Sequence, residues 1–202
     1  MKQGRFIVFE GIDGAGKTTQ IELLAKRLSQ NEEDVSITAE PTDNESGRAL
    51  RRALSGKEPH SECEMAVMFV FDRIGHNAQI EELLAQGKTV ICDRYYYSTL
   101  AYQGKSTDYA WVRSMNIDCP KIRRPDVCIY LDLTPEESLA RISRGRAEVE
   151  IYENLEKLTE VRDSFFSVIA DLRASGEKIF TVNANRSVED ISDEIFDIVA
   201  KI

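Results

Sequence analysis

The stretch FEGIDGAGKTTQ, Phe9 to Gln20, puts three glycines, a lysine and two threonines into twelve positions. It fits G-x-x-x-x-G-K-[ST], with Gly11, Gly16, Lys17 and Thr18 at the required spacing. A loop of this kind curls its backbone N–H groups around phosphate oxygens, because glycine reaches φ values that other residues avoid. On that reading Gly11, Ile12, Asp13, Gly14, Ala15 and Gly16 cradle the phosphates of a nucleotide. Lys17 reaches the β- and γ-phosphates, the Thr18 hydroxyl ligates Mg²⁺, and Thr19 stands beside it. The context agrees. Phe6 to Phe9 reads as a buried strand, and Ile21, Leu24 and Leu28 recur at helical spacing after the loop. Strand, glycine loop and helix together set a helix N-terminus behind the phosphates.

Outside the loop, composition narrows the field. A chain of 202 residues is expected to form one domain, 1–202, with a full core. Its net charge of −9 argues against a sequence-independent grip on DNA or RNA, so no nucleic-acid partner is expected. Cys63, Cys92, Cys119 and Cys128 form no C-x-x-C pair, which points to neither zinc nor disulfides. Cys92 and Cys128 lie in apolar runs and read as core. No apolar run approaches membrane-spanning length and the N-terminus has no signal-like segment, so a soluble, cytoplasmic protein without a membrane partner is expected.

Five short apolar runs read as strands: Phe6–Phe9, Val35–Ala39, Thr89–Cys92, Val127–Leu131 and Ile179–Val182. Several are apolar at consecutive positions, as strands buried on both faces are. Helical stripes fill the gaps, among them Leu155, Leu158, Phe165 and Leu172, then Val188, Ile191, Ile195, Ile198 and Ile202. The alternation predicts an α/β fold: a five-stranded parallel sheet covered by helices on both faces. Ligands in such folds bind beyond the carboxyl ends of the strands.

A second stretch, TVICDRYYYSTLAYQG (Thr89 to Gly104), places Asp93 at a strand end, where a carboxylate can hold Mg²⁺. A motor ATPase usually follows with a glutamate. This chain has Arg94, suited to neutralising phosphate charge. Two histidines and no Ser/His/Asp or Cys/His arrangement leave arginines as the available chemistry. A phosphate monoester with its second pKa near 6 is already mostly a dianion at neutral pH. Transfer to it needs positioning and charge neutralisation, not a base.

The combination GIDGAGKTTQ, EPT, FVFDR and DRYYYSTLAYQG resembles the thymidylate kinase family over nearly the whole chain. The resemblance implies a P-loop NTPase fold of the nucleoside monophosphate kinase type and a homodimer. It also implies transfer of the γ-phosphate of MgATP to dTMP, giving dTDP and ADP for dTTP biosynthesis. A rival deoxynucleoside kinase would need a carboxylate base at the 5′-hydroxyl. A GTP switch would need N-K-x-D, and the chain has no Asn-Lys pair. The acidic charge and Arg94 oppose a nucleic-acid motor.

On the helix of MFVFDRIGH, Val67, Phe71, Ile74 and Ala78 are expected as the core stripe, with Phe69, Arg73 and His76 on the opposite face. By resemblance Phe69 stacks on thymine and Arg73 donates to its O4, while His76 is expected at the helix surface or a dimer contact. In EPTDNESGRALRRAL, Pro41 biases Glu40 to an extended conformation at a strand end. A following arginine grips the acceptor phosphate by resemblance. G-x-x-L-R favours Arg51, with Arg48 one turn away. Asp13 approaches the acceptor's 3′-hydroxyl and metal region by resemblance, and Ser98, Tyr102 and Gln103 join Arg94 around the acceptor. Tyr102 is expected against the sugar. Some family members carry a basic residue in the loop where this chain has Gly14. Those lacking it place catalytic arginines in a mobile lid, here 141–153. Arg141 then lies against adenine, and Arg144 and Arg146 serve the transferring phosphoryl. NANRSVEDI borders adenine around Ala184 to Arg186.

Overall fold

A computed structural model describes residues 4–145 and 154–202. Its strands are β1 (Phe6–Glu10), β2 (Val35–Ala39), β3 (Thr89–Asp93), β4 (Val127–Asp132) and β5 (Ile179–Asn183). They alternate with α1 (Lys17–Gln30), α2 (Glu45–Leu54), α3 (Glu62–Ala85), α4 (Tyr96–Ser106), α5 (Tyr109–Ile117), α6 (Pro135–Gly145), α7 (Leu155–Ala174) and α8 (Val188–Val199). Four strands run one residue past the apolar segments read from sequence, onto Glu10, Asp93, Asp132 and Asn183. Of those polar ends, Asp93 lines the cleft described below.

All pairings are parallel, in the order β2-β3-β1-β4-β5. The chain goes to one side of β1 for β2 and β3, then crosses to the other for β4 and β5. Ligand crevices open at such reversals, and β1 carries the glycine loop into this one.

The consecutive apolar residues divide by strand period between two cores. Phe6, Val8, Val90, Cys92, Cys128 and Tyr130 face the core shared with α3, α4, α5 and α7. Ile7, Phe9, Ile91, Val127, Ile129 and Leu131 face the core shared with α1 and α8. A strand buried on both sides has no polar face to show, which is why the alternation is hidden in the sequence. The edge strands β2 and β5 each carry exposed positions. All four cysteines are free, with Cys92 and Cys128 in the core as expected.

The reading of α3 is overturned. The expected core stripe is outside: Val67 is 49% exposed, Phe71 69% and Ile74 37%. The buried face carries Asp72, Arg73, His76 and Asn77. His76, expected at the surface, is buried. These polar groups are buried because each meets a partner from another element, so the desolvation cost is offset. Helical periodicity located a face and assigned it to the wrong side.

The segment expected as a lid falls mainly on residues 146–153, so Arg146 lies outside the described residues, as does the side chain of Arg144.

Candidate active site

The end of β1 turns into the glycine loop, and Gly16, in the left-handed conformation, caps α1. Lys17 Nζ donates to the carbonyls of Gly11 (3.0 Å) and Ile12 (3.3 Å) and is buried. Burial, then repulsion from Arg94, holds its pKa below the usual lysine value. At Gly14, φ is +74°, and an added Cβ would sit 2.9 Å from the Ser138 carbonyl oxygen of α6. The loop is therefore closed against α6, where Ser138 Oγ donates to the Asp13 carbonyl at 2.5 Å. Arg141 reaches the same place, donating to the carbonyls of Gly14 (3.4 Å) and Ala184 (3.0 Å). Arg141 and Ala184 thus meet beside the loop, whereas Arg186 turns to Glu194 and the Asn183 carbonyl.

From the adjacent strand end, Asp93 Oδ2 accepts from Thr18 Oγ1 at 3.4 Å. Asp93 Oδ1 is buried and has no hydrogen-bond partner among the described residues. A hydroxyl and a carboxylate with a spare buried oxygen form a donor set that fits a hard divalent cation.

Arg94 takes φ +67°, unusual for a residue with a Cβ. Its backbone N–H donates to the Phe9 carbonyl at 2.9 Å. That turn aims the guanidinium across the cleft, where Nη2 donates to Asp13 Oδ1 at 2.6 Å and Nη1 to Ser98 Oγ at 3.0 Å. The Tyr102 ring centroid lies 5.9 Å from Arg94 Cζ, and that ring meets Phe165 edge-on. The turn is held from beneath by Glu10. One oxygen accepts from the backbone N–H groups of Tyr95 (2.8 Å) and Ser98 (3.1 Å), the other from Ser98 Oγ (2.6 Å). Glu10 thereby caps α4, whose own N-cap, Tyr95, has no side chain able to do so. Burial pushes the Glu10 carboxyl up, against the pull of Arg94, Ser98, Tyr95 and Lys17. Sequence reading missed Glu10. The signal was its place one residue before Gly11, but its partners lie 85 and 88 positions away.

The far wall is built by α2 and α3. Asp72 accepts from the Thr42 N–H (2.8 Å), Thr42 Oγ1 (2.6 Å) and Ser46 Oγ (2.6 Å), tying the EPT turn to α3. Gly47 admits this approach, since an added Cβ would lie 1.9 Å from the Thr42 carbonyl oxygen. Arg51 donates to the carbonyls of Thr42 (2.8 Å) and Pro41 (2.6 Å) and lines the cleft. Arg48 is exposed on the Asp43 carbonyl, so of the two candidates Arg51 is the one at the cleft. Glu40 is buried at the end of β2. Its Oε2 takes Arg73 Nε at 2.8 Å, and Oε1 meets His76 Nδ1 at 2.9 Å. His76 Nε2 in turn meets Thr38 Oγ1 at 2.6 Å. Gln103 Nε2 donates to Glu62 at 3.0 Å.

These parts enclose one cleft of about 490 Å³. Asp13, Gly14, Gly16, Lys17, Thr18, Thr19 and Asp93 line one end, and Glu40, Arg51, Phe69, Arg73, Ser98, Tyr102 and Gln103 the other, with Arg94 between. Phosphate-binding groups at one end and an aromatic with an arginine at the other can hold two ligands facing each other. The middle carries Arg94 against Asp13, groups able to balance charge between two such ligands.

The family model described as Thymidylate kinase matches residues 9–195. A protein named "Probable thymidylate kinase" from Pyrococcus horikoshii is 40% identical over 98% of this chain and 96% of its own length. A namesake from Methanococcus aeolicus is 41% identical over 95% and 93%, and one from Methanocaldococcus jannaschii 35% over 96% and 95%.

Proposed function

The chain belongs to the thymidylate kinase family, phosphotransferases that carry phosphate from ATP to dTMP on the way to dTTP, and we propose how its own residues perform that transfer. The observation that carries the reading is the Arg94–Asp13 contact in the middle of one cleft, between the phosphate loop and the Phe69–Arg73 wall.

The loop from Gly11 to Thr19 holds the triphosphate, with Lys17 on its terminal phosphates. Thr18 and Asp93 would hold Mg²⁺, which supplies charge neutralisation on the phosphate oxygens. Arg141 lies along the adenine beside Ala184, and Arg186 borders it through backbone. On the acceptor side Phe69 stacks on the base, Arg73 donates to its carbonyl and Arg51 grips the phosphate. Glu40 acts through Arg73. Tyr102 packs on the sugar, with Gln103 and Ser98 supporting that wall. Arg94 neutralises charge between donor and acceptor, and Asp13 orients it while meeting the sugar hydroxyl. Arg144 and Arg146 complete the charge control. No general base is required, because the acceptor phosphate is already the dianionic nucleophile.

The exposed face of α3 carries three large apolar side chains, Val67, Phe71 and Ile74. An apolar patch of that kind supports a homodimer packed through this face. Four free cysteines suit a reducing cytoplasm. Among the described residues no helix is long and apolar enough to cross a membrane.

The test is a panel: MgATP with dTMP, dUMP, dCMP, dGMP and thymidine, read as ADP formed. dTMP is expected to be the fastest acceptor. Faster turnover of thymidine than of dTMP would replace the reading with that of a nucleoside kinase.

A further inference from the structure

Asn116 stands near the end of α5, fully buried, where the sequence offers no motif. Its Nδ2 donates to the Val112 carbonyl one turn earlier at 2.8 Å, which turns Oδ1 away from its own helix. Oδ1 accepts from Arg73 Nη1 at 2.5 Å. Arg73 is held on its other edges too. Nε donates to Glu40 Oε2, Nη2 lies 2.6 Å from that same oxygen, and Nη2 donates to Thr99 Oγ1 at 3.1 Å. The guanidinium also lies over the Tyr95 ring, its Cζ 5.2 Å from the centroid.

A guanidinium is planar and carries five N–H donors in fixed directions. Holding Nε and Nη2 against Glu40 and Thr99, and one N–H of Nη1 against Asn116, fixes the plane completely. The second N–H of Nη1 has no acceptor among the described residues, and Arg73 lines the cleft beside Phe69. Arg73 is therefore presented as a single fixed donor.

We propose that Asn116 is a specificity-positioning residue: by locking Arg73 Nη1, it makes the cleft accept a pyrimidine with a carbonyl at C4 and refuse one with an amino group there. A fixed N–H donor meets the O4 acceptor of a thymine-type base and opposes the N4 donor of a cytosine-type base. A loosely held arginine could swing aside and tolerate either. The refusal of the wrong base comes from rigidity at Asn116, not from a contact that Asn116 makes with the base.

This inference rests on the proposed dTMP reading, and the experiment separates the two. Steady-state kinetics are measured with dTMP and dCMP for the wild type, Asn116→Leu and Asn116→Asp. Leu removes the acceptor at similar volume; Asp keeps it. N116L is expected to raise KM for dTMP at least about tenfold, the scale of a lost buried hydrogen-bonded selector, while kcat changes less than about threefold. The dTMP-to-dCMP ratio of kcat/KM should narrow by at least about tenfold. N116D should restore both, and KM for ATP should not move in either. Should N116L fail to fold, Asn116→Ser, too short to reach Arg73, carries the same expectation. Parallel losses for dTMP and dCMP, a raised KM for ATP, or an N116D variant no better than N116L would overturn the assignment. A wild type indifferent between dTMP and dCMP would instead sink the reading beneath it.

Discussion

Arg94 Nη2 lies 2.6 Å from Asp13 Oδ1, joining the end of β3 to the middle of the glycine loop. The pair is four-fifths buried, so each charge depends on the other for compensation. Removing both should cost less than the two single losses added together. Arg94→Ala and Asp13→Ala are each expected to lower kcat at least about 10²-fold. The double variant should fall well short of the product of the two losses, as coupled sites do. Purely multiplicative losses in a double-mutant cycle would show that the two act separately.

Lys17 is buried against loop carbonyls and lines the cleft. Lys17→Ala should lower kcat by about 10³ or more, the scale of a lost phosphoryl-charge stabiliser. dTMP affinity, measured by calorimetry, should barely change. A variant with more than a tenth of wild-type activity would remove Lys17 from this role.

Asp93 Oδ1, beside Thr18, is a buried oxygen without a hydrogen-bond partner among the described residues. Asp93→Asn keeps the shape and removes the charge. Its activity should need much higher free Mg²⁺ than wild type, and Mn²⁺, with its greater affinity for such ligands, should rescue part of the loss. An unchanged Mg²⁺ dependence would place the cation elsewhere.

Glu10 holds the start of α4, beside Arg94, through Tyr95 and Ser98. Glu10→Gln replaces an acceptor by a donor and should lower stability by about 1–3 kcal/mol at neutral pH. The pH dependence has a definite sign. Because the folded carboxyl titrates above its unfolded value, the folded state binds more protons in the window between the two. Wild-type stability from this group is greatest below the ordinary carboxylate range and declines as pH rises through the raised pKa. Urea unfolding across that window should show the decline in wild type minus Glu10→Gln; a flat difference would mean that burial leaves Glu10 unshifted.

Tyr102 lines the cleft, its ring held by Phe165. dTMP should be preferred over ribothymidine monophosphate by about tenfold or more in kcat/KM, since a 2′-hydroxyl would lose water at an apolar ring edge. Tyr102→Ala should narrow that ratio and leave KM for ATP alone. Equal losses for both acceptors would make Tyr102 a support of the site and not a reader of the sugar.

The sequence alone determined whatever is written in local spacing. The loop from Gly11 to Thr18 is a continuous backbone shape, so its glycines and lysine announce it. The five strands were legible because strands buried on both faces are short apolar runs, and the order of strand and helix dictates parallel crossovers. Asp93 and Arg94 could be read because they end such a run. The tertiary structure alone decided which face of α3 is inside. Apolar Val67, Phe71 and Ile74 obey helical period as well as any core stripe. Only the arrival of Glu40, Thr99 and Asn116 from other elements makes it cheaper to bury Arg73 and His76. Glu10 and Asn116 were hidden for the same reason. A buried polar group takes its function from partners tens of residues away, and no local pattern records who those partners will be.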